Sequence, residues 1–95
     1  MGSIVSMYSK YSTLEHTILK HLKENPEVGQ KTKGLAASEV HSNLPNASHY
    51  TYEQVAQTIR VLALEGLVRT DGFGKLVDIT REGLIAARED EYERV

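Results

Sequence analysis

Four histidines, His16, His21, His41 and His49, are the side chains best suited to hold a metal. His16 and His21 are five residues apart in a helical stretch, which rotates them away from each other. No cysteine and no His-x-x-x-His pair supports them. The histidines are expected on the surface or partly packed, with no metal bound. Gly72-Phe73-Gly74 has glycines of the kind that cradle phosphate, but it falls in a turn between two extended runs and opens no helix. No arrangement of serine and histidine marks an activated nucleophile, so neither an enzyme nor a cofactor is expected. What remains is charge: Arg69, Lys75 and Arg81 form a positive cluster in the second half of the chain.

Composition bounds the context of these residues. A chain of 95 residues is one folding unit, expected as a single domain over 1–95 with a core at about 12–90. Hydrophobic residues make up 40%, charged residues 25%, and prolines number two, which is a globular composition. The absence of cysteine excludes disulfides and fits a reducing compartment. MGSIVSMYSKYS lacks the basic segment and apolar run of a signal peptide, and no run of roughly eighteen apolar residues exists to span a membrane. A cytoplasmic protein without membrane contact is expected. The net charge is -2, but the tail at 89–95, EDEYERV, contains four acids and one arginine. The rest of the chain is therefore close to neutral, and local charge has to decide the partner.

The elements that would position the cluster can be traced from periodicity. Ser12-Thr13-Leu14-Glu15 has the form of a capping box, and Leu14, Ile18 and Leu22 continue a helix over about 12–25, stopped by Asn25-Pro26. PEVGQKTKG is expected to be a polar, mobile connection. Leu35, Ala36, Val40 and Leu44 predict a second helix over about 36–44, ended by Pro45. Thr51 can cap a third helix, 51–65, whose apolar stripe is Tyr52, Val55, Ala56, Ile59, Leu62 and Ala63. After Gly66 the period becomes extended: Leu67–Thr70 and Lys75–Ile79 predict strands joined by the tip Asp71-Gly72-Phe73-Gly74. Phe73 is expected to fold back over its own hairpin. Thr80 then caps a last helix.

The order helix, helix, helix, hairpin, helix, with the run AQTIRVLALEGLVRTDGFGKLVDITREGLIAARE, resembles the winged helix-turn-helix domains of prokaryotic transcription regulators. The shared features are Leu-x-x-x-Gly-Leu-Val at Leu62 to Val68, a wing hairpin, and Ile-Thr-x-x-Gly at Ile79 to Gly83. The resemblance implies an α+β, mainly α fold: a three-helix core with a β-hairpin wing and a C-terminal helix. It also implies a sequence-specific transcriptional regulator that binds double-stranded DNA as a homodimer. In that scheme helix 51–65 reads the major groove and the wing, 67–79, meets the backbone or minor groove.

Carried onto this chain, the resemblance makes Gln54 and Gln57 partners for an adenine edge and Thr58 a partner for base or phosphate. Val61 would meet a thymine methyl, and Thr51 and Tyr52 would bond phosphate. Arg69, Lys75 and Arg81 would serve the wing, and Phe73 at its tip would pack against sugar or base where it does not fold back over the hairpin. Lys31 and Lys33, ahead of the second helix, would touch backbone or simply solvate their loop. The chain departs from the family in carrying Val61 and Leu64 where many members have cations, with Glu53 and Glu65 adding negative charge. Few cations imply weak, salt-sensitive binding unless two copies act together. The alternative is a protein-interaction or assembly module that contacts its partner through Val61 and Leu64.

Overall fold

The apolar periodicities become helices in the computed structural model, which describes the backbone of residues 13–93 and side chains through residue 88. In chain order these are α1 (Thr13–Glu24), a 3-10 turn (Pro26–Gly29), α2 (Ala36–Asn43), a second 3-10 turn (Ala47–His49) and α3 (Tyr52–Leu64). The hairpin strands β1 (Val68–Thr70) and β2 (Val77–Ile79) and the last helix α4 (Arg81–Glu93) follow. The described residues thus form a small α+β, mainly helical fold of four helices and one two-stranded antiparallel hairpin. Ser12, the serine of the expected first capping box, and the amino-terminal IVSMY lie outside the described residues, as do the side chains of the acidic tail.

One buried cluster draws on every helix and on the hairpin. Ile18, Leu19 and Leu22 of α1 meet Ala36 and Val40 of α2, Val55, Ile59 and Leu62 of α3, Val68 and Val77 of the hairpin, and Ala86 and Ala87 of α4. Burial of such side chains is the main favourable term in folding, at about 1.5–3 kcal/mol for each large one. Since α1 packs on both α3 and α4, it is the central helix.

Two glycines set how closely the elements approach. A Cβ at Gly83 would overlap the Leu67 carbonyl oxygen and reach the Ile79 side chain, so α4 passes directly over the hairpin base. A Cβ at Gly29 would overlap the Val77 carbonyl oxygen. The connection after α1 is therefore a packed element rather than the mobile one its polar composition predicts. Val28 and Gly29 are buried, Gln30 bridges Leu76, and the Lys31 and Ala36 amides donate to the Lys75 and Gly74 carbonyls.

That attachment also changes the hairpin. The strands pair Val68 with Ile79, Arg69 with Asp78 and Thr70 with Val77, leaving residues 71–76 as the connection. Lys75 and Leu76, expected at the start of the second strand, turn their backbone groups to Lys31 and Gln30 instead. At the tip the Asp71 carboxylate accepts the amides of Phe73 at 2.9 Å and Lys75 at 3.1 Å. Phe73 does not fold back: its side chain is 82% exposed.

Candidate nucleic-acid interface

The positioning of α3 begins at its cap. Thr51 Oγ1 accepts the Gln54 amide at 3.1 Å, and Gln54 Oε1 accepts the Thr51 amide at 2.8 Å. This reciprocal pair is a capping box, and caps of this kind contribute about 1 kcal/mol. It engages two side chains expected to meet nucleic acid, leaving the Gln54 Nε2 and the Thr51 hydroxyl proton for a ligand. Thr58 Oγ1 likewise donates to the Gln54 carbonyl at 2.7 Å, so its hydroxyl can only accept from an outside group.

The remaining expected residues of α3 stand at the surface. Gln57 is exposed with its amide unengaged among the described residues, and Tyr52 is exposed although its place in the apolar stripe predicted packing. Val61 is 36% exposed and Leu64 88%. Gln57, Val61 and Leu64 follow helical spacing along one face, which is polar near the start of α3 and apolar near its end.

Most of the expected cations have internal partners. Arg69 pairs with Asp78 across the hairpin at 2.9 Å, and Lys31 pairs with Glu39 of α2 at 3.3 Å. Lys75 Nζ donates to the Thr32 carbonyl at 3.2 Å. Lys33, Arg60 and Arg81 make no ion pair or side-chain hydrogen bond among the described residues. Arg81 is the first residue of α4, where the helix dipole disfavours a cation. Its position is therefore not explained by local helix stability.

Electrostatic effects around these elements are local. Desolvation is the largest single influence on Asp71 and opposes its ionisation, but the amides of Phe73, Lys75, Leu76 and Gly74 together outweigh it and hold the carboxyl below its ordinary range. Desolvation, with the neighbouring Glu15 charge and a hydrogen bond to it, raises Glu65 at the end of α3. Burial lowers His21, against Glu24 and Glu27, and its Nε2 lies buried without a hydrogen-bond partner. His16 is buried, and His41 donates through Nε2 to the Tyr50 carbonyl at 2.7 Å, tying the turn that precedes α3. Among the described residues no three metal-ligating side chains converge.

Between α3 and the hairpin runs a cleft of 190 Å³ with Tyr52, Arg60 and Thr70 on its walls. Arg60 and Thr70 were not expected as site residues. Arg60 sits beside the exposed face of the helix in the sequence pattern, but only the fold brings it to the same cleft as Thr70. A second, shallower depression joins Leu14 of α1 to Thr51, Glu53, Gln54, Gln57 and Thr58. The structure thus gathers the residues of α3 into one surface and keeps the hairpin beside it. Lys33 lies in the connection ahead of α2, and Arg81 lies beyond the hairpin at the start of α4.

Searches against protein-family models, curated proteins and solved structures found no match for this chain. No helix among the described residues is long and apolar enough to cross a membrane.

Proposed function

We propose that this chain is a winged helix-turn-helix regulator that binds double-stranded DNA sequence-specifically, as a homodimer in the cytoplasm. The observation that carries the proposal is α3: a capped helix whose outer face exposes Gln54, Gln57 and Val61, with Thr58 half-buried among them, beside the hairpin. A helix presenting amide side chains fits the major groove, where glutamine matches the donor and acceptor of adenine. Arg69, Lys75 and Arg81 supply phosphate contacts from the hairpin side, the first two by exchanging weak surface partners for DNA. Exposed Leu84 and Ile85 on α4 offer apolar surface for pairing two copies.

The test is duplex binding by the full chain, followed by fluorescence anisotropy. Replacing Arg69, Lys75 and Arg81 together by glutamate is expected to abolish binding, and unchanged affinity would remove the hairpin from the interface. A second reading follows from Leu64, whose large apolar side chain is more exposed than any fold role requires: α3 then docks a protein. Salt separates the two. Duplex affinity falls with a log-log slope near -0.9 per phosphate neutralised, whereas an apolar protein contact hardly responds.

A further inference from the structure

The cleft between α3 and the hairpin has a chemistry distinct from the exposed face of α3. Ala56, Ile59 and Val77 give its lining an apolar part, and Tyr52, Thr70 and Arg60 are the residues on it with polar side chains. No acidic residue lines it. None of these three polar side chains makes a hydrogen bond or ion pair among the described residues. Nor does the helix provide Arg60 with a partner, because the residues three and four away are Ala56, Gln57, Ala63 and Leu64.

A guanidinium is a donor only, and each hydroxyl can donate one proton. Three donor-bearing side chains around one cleft with no carboxylate on its lining favour an anion rich in acceptor oxygens. The planar guanidinium fork matches two oxygens of a phosphate particularly well. Since the cleft separates the helix from the hairpin, a backbone that crosses from one to the other has to pass over it.

We propose that the cleft seats one phosphodiester of the duplex, with Arg60 gripping two of its oxygens and Tyr52 and Thr70 donating from either side. This rests on the DNA reading above and adds to it a fixed contact between groove-reading helix and hairpin. The grip sets the register of α3 on the backbone without reading a base. Arg60 is thus a positioning residue, and its loss should weaken all duplexes about equally.

The experiment is a salt titration of the full chain against a labelled random-sequence duplex, comparing the native protein with Arg60→Gln and Arg60→Lys. With Arg60→Gln the log-log slope should become shallower by about 0.9, the value for one phosphate. Across a range of about 50 to 200 mM salt that difference corresponds to roughly a 3.5-fold change in relative affinity. Arg60→Lys should keep the slope but bind more weakly, because an ammonium keeps the charge and loses the fork. Tyr52→Phe should weaken binding with the slope unchanged. If Arg60→Gln keeps native affinity and slope while the triple glutamate variant loses binding, the seat is refuted and the DNA reading stands. Failure of the native chain to bind duplex at low salt refutes both. Inorganic phosphate serves as a competitor: displacement of duplex from the native chain but not from Arg60→Gln supports the seat, and equal displacement from both argues against it.

Discussion

Replacing Gly83 by alanine should destabilise the protein although alanine is the better helix former. A Cβ at this position would overlap the Leu67 carbonyl oxygen and come within 2.7 Å of the Ile79 side chain. That carbonyl accepts the Thr80 amide at 3.0 Å, and Thr80 Oγ1 caps α4 by accepting the Gly83 amide at 3.1 Å while donating to the Gly66 carbonyl. The added methyl must push α4 away from the hairpin or break part of this network. Helix propensity favours alanine by about 0.8–1.0 kcal/mol. Overpacking costs about 1–3 kcal/mol, and one weakened hydrogen bond about 0.5–1.5 kcal/mol more. The balance is a loss of roughly 1–3 kcal/mol. In urea, with a slope near 1 kcal/mol/M for a small chain, the midpoint should fall by about 1 M or more. A midpoint that rises with the slope unchanged, as propensity alone would produce, refutes the close passage of α4 over Leu67.

Two other perturbations test the charges. Asp78→Asn frees Arg69 from its cross-strand partner; it should cost under about 1 kcal/mol of stability and raise duplex affinity in anisotropy. That gain should vanish when Arg69 is also replaced by glutamine, and a gain that persists would exclude Arg69 from the interface. Glu65, raised by desolvation and by Glu15, binds its proton more tightly in the folded state, so stability falls as pH rises through its folded pKa. Glu65→Gln should therefore stabilise the chain at neutral pH by roughly 0.2–0.5 kcal/mol, the size of a screened like-charge contact. The advantage should disappear below the ordinary glutamate range in denaturation curves run against pH.

The helices were legible in the sequence because each signal is local. Thr51 and Gln54 stand at the spacing of a capping box, and Val55, Ile59 and Leu62 repeat with the helical period. The connection after α1 was not legible, because its composition is polar while its fixing contacts are with residues far along the chain. Gln30 finds Leu76 and Lys31 finds Lys75 only after the hairpin has folded back. The same bridge shortens the second strand, which no pattern within the hairpin announces. Candidate site residues divide in the same way. The exposed face of α3 follows from periodicity alone, whereas the partners of Arg69 and Lys31 depend on strand register and on the approach of α2. Asp78 was out of reach of the sequence, since the expected tip at residues 71–74 sets Leu76 opposite Arg69, whereas the observed connection over 71–76 sets Asp78 there.

Those partners bear on how the chain could hold DNA. Arg69 and Lys31 already have carboxylates, and exchanging them for phosphate replaces one ion pair by another with little net gain of charge contact. Lys33, Arg60 and Arg81 have no such competition among the described residues. Phosphate contacts from these three side chains alone would give a salt slope of about -2.7, and two copies on adjacent half-sites about -5.4. The first value implies weak nonspecific affinity; the second corresponds to about six phosphate contacts, enough to lose about a thousandfold in affinity between roughly 50 and 200 mM salt. The slope therefore counts copies as well as contacts. A steep slope requires pairing, for which the exposed Leu84 and Ile85 of α4 provide apolar surface. A slope near zero leaves Leu64, at the apolar end of the same helix, as the group whose exposure still needs a partner.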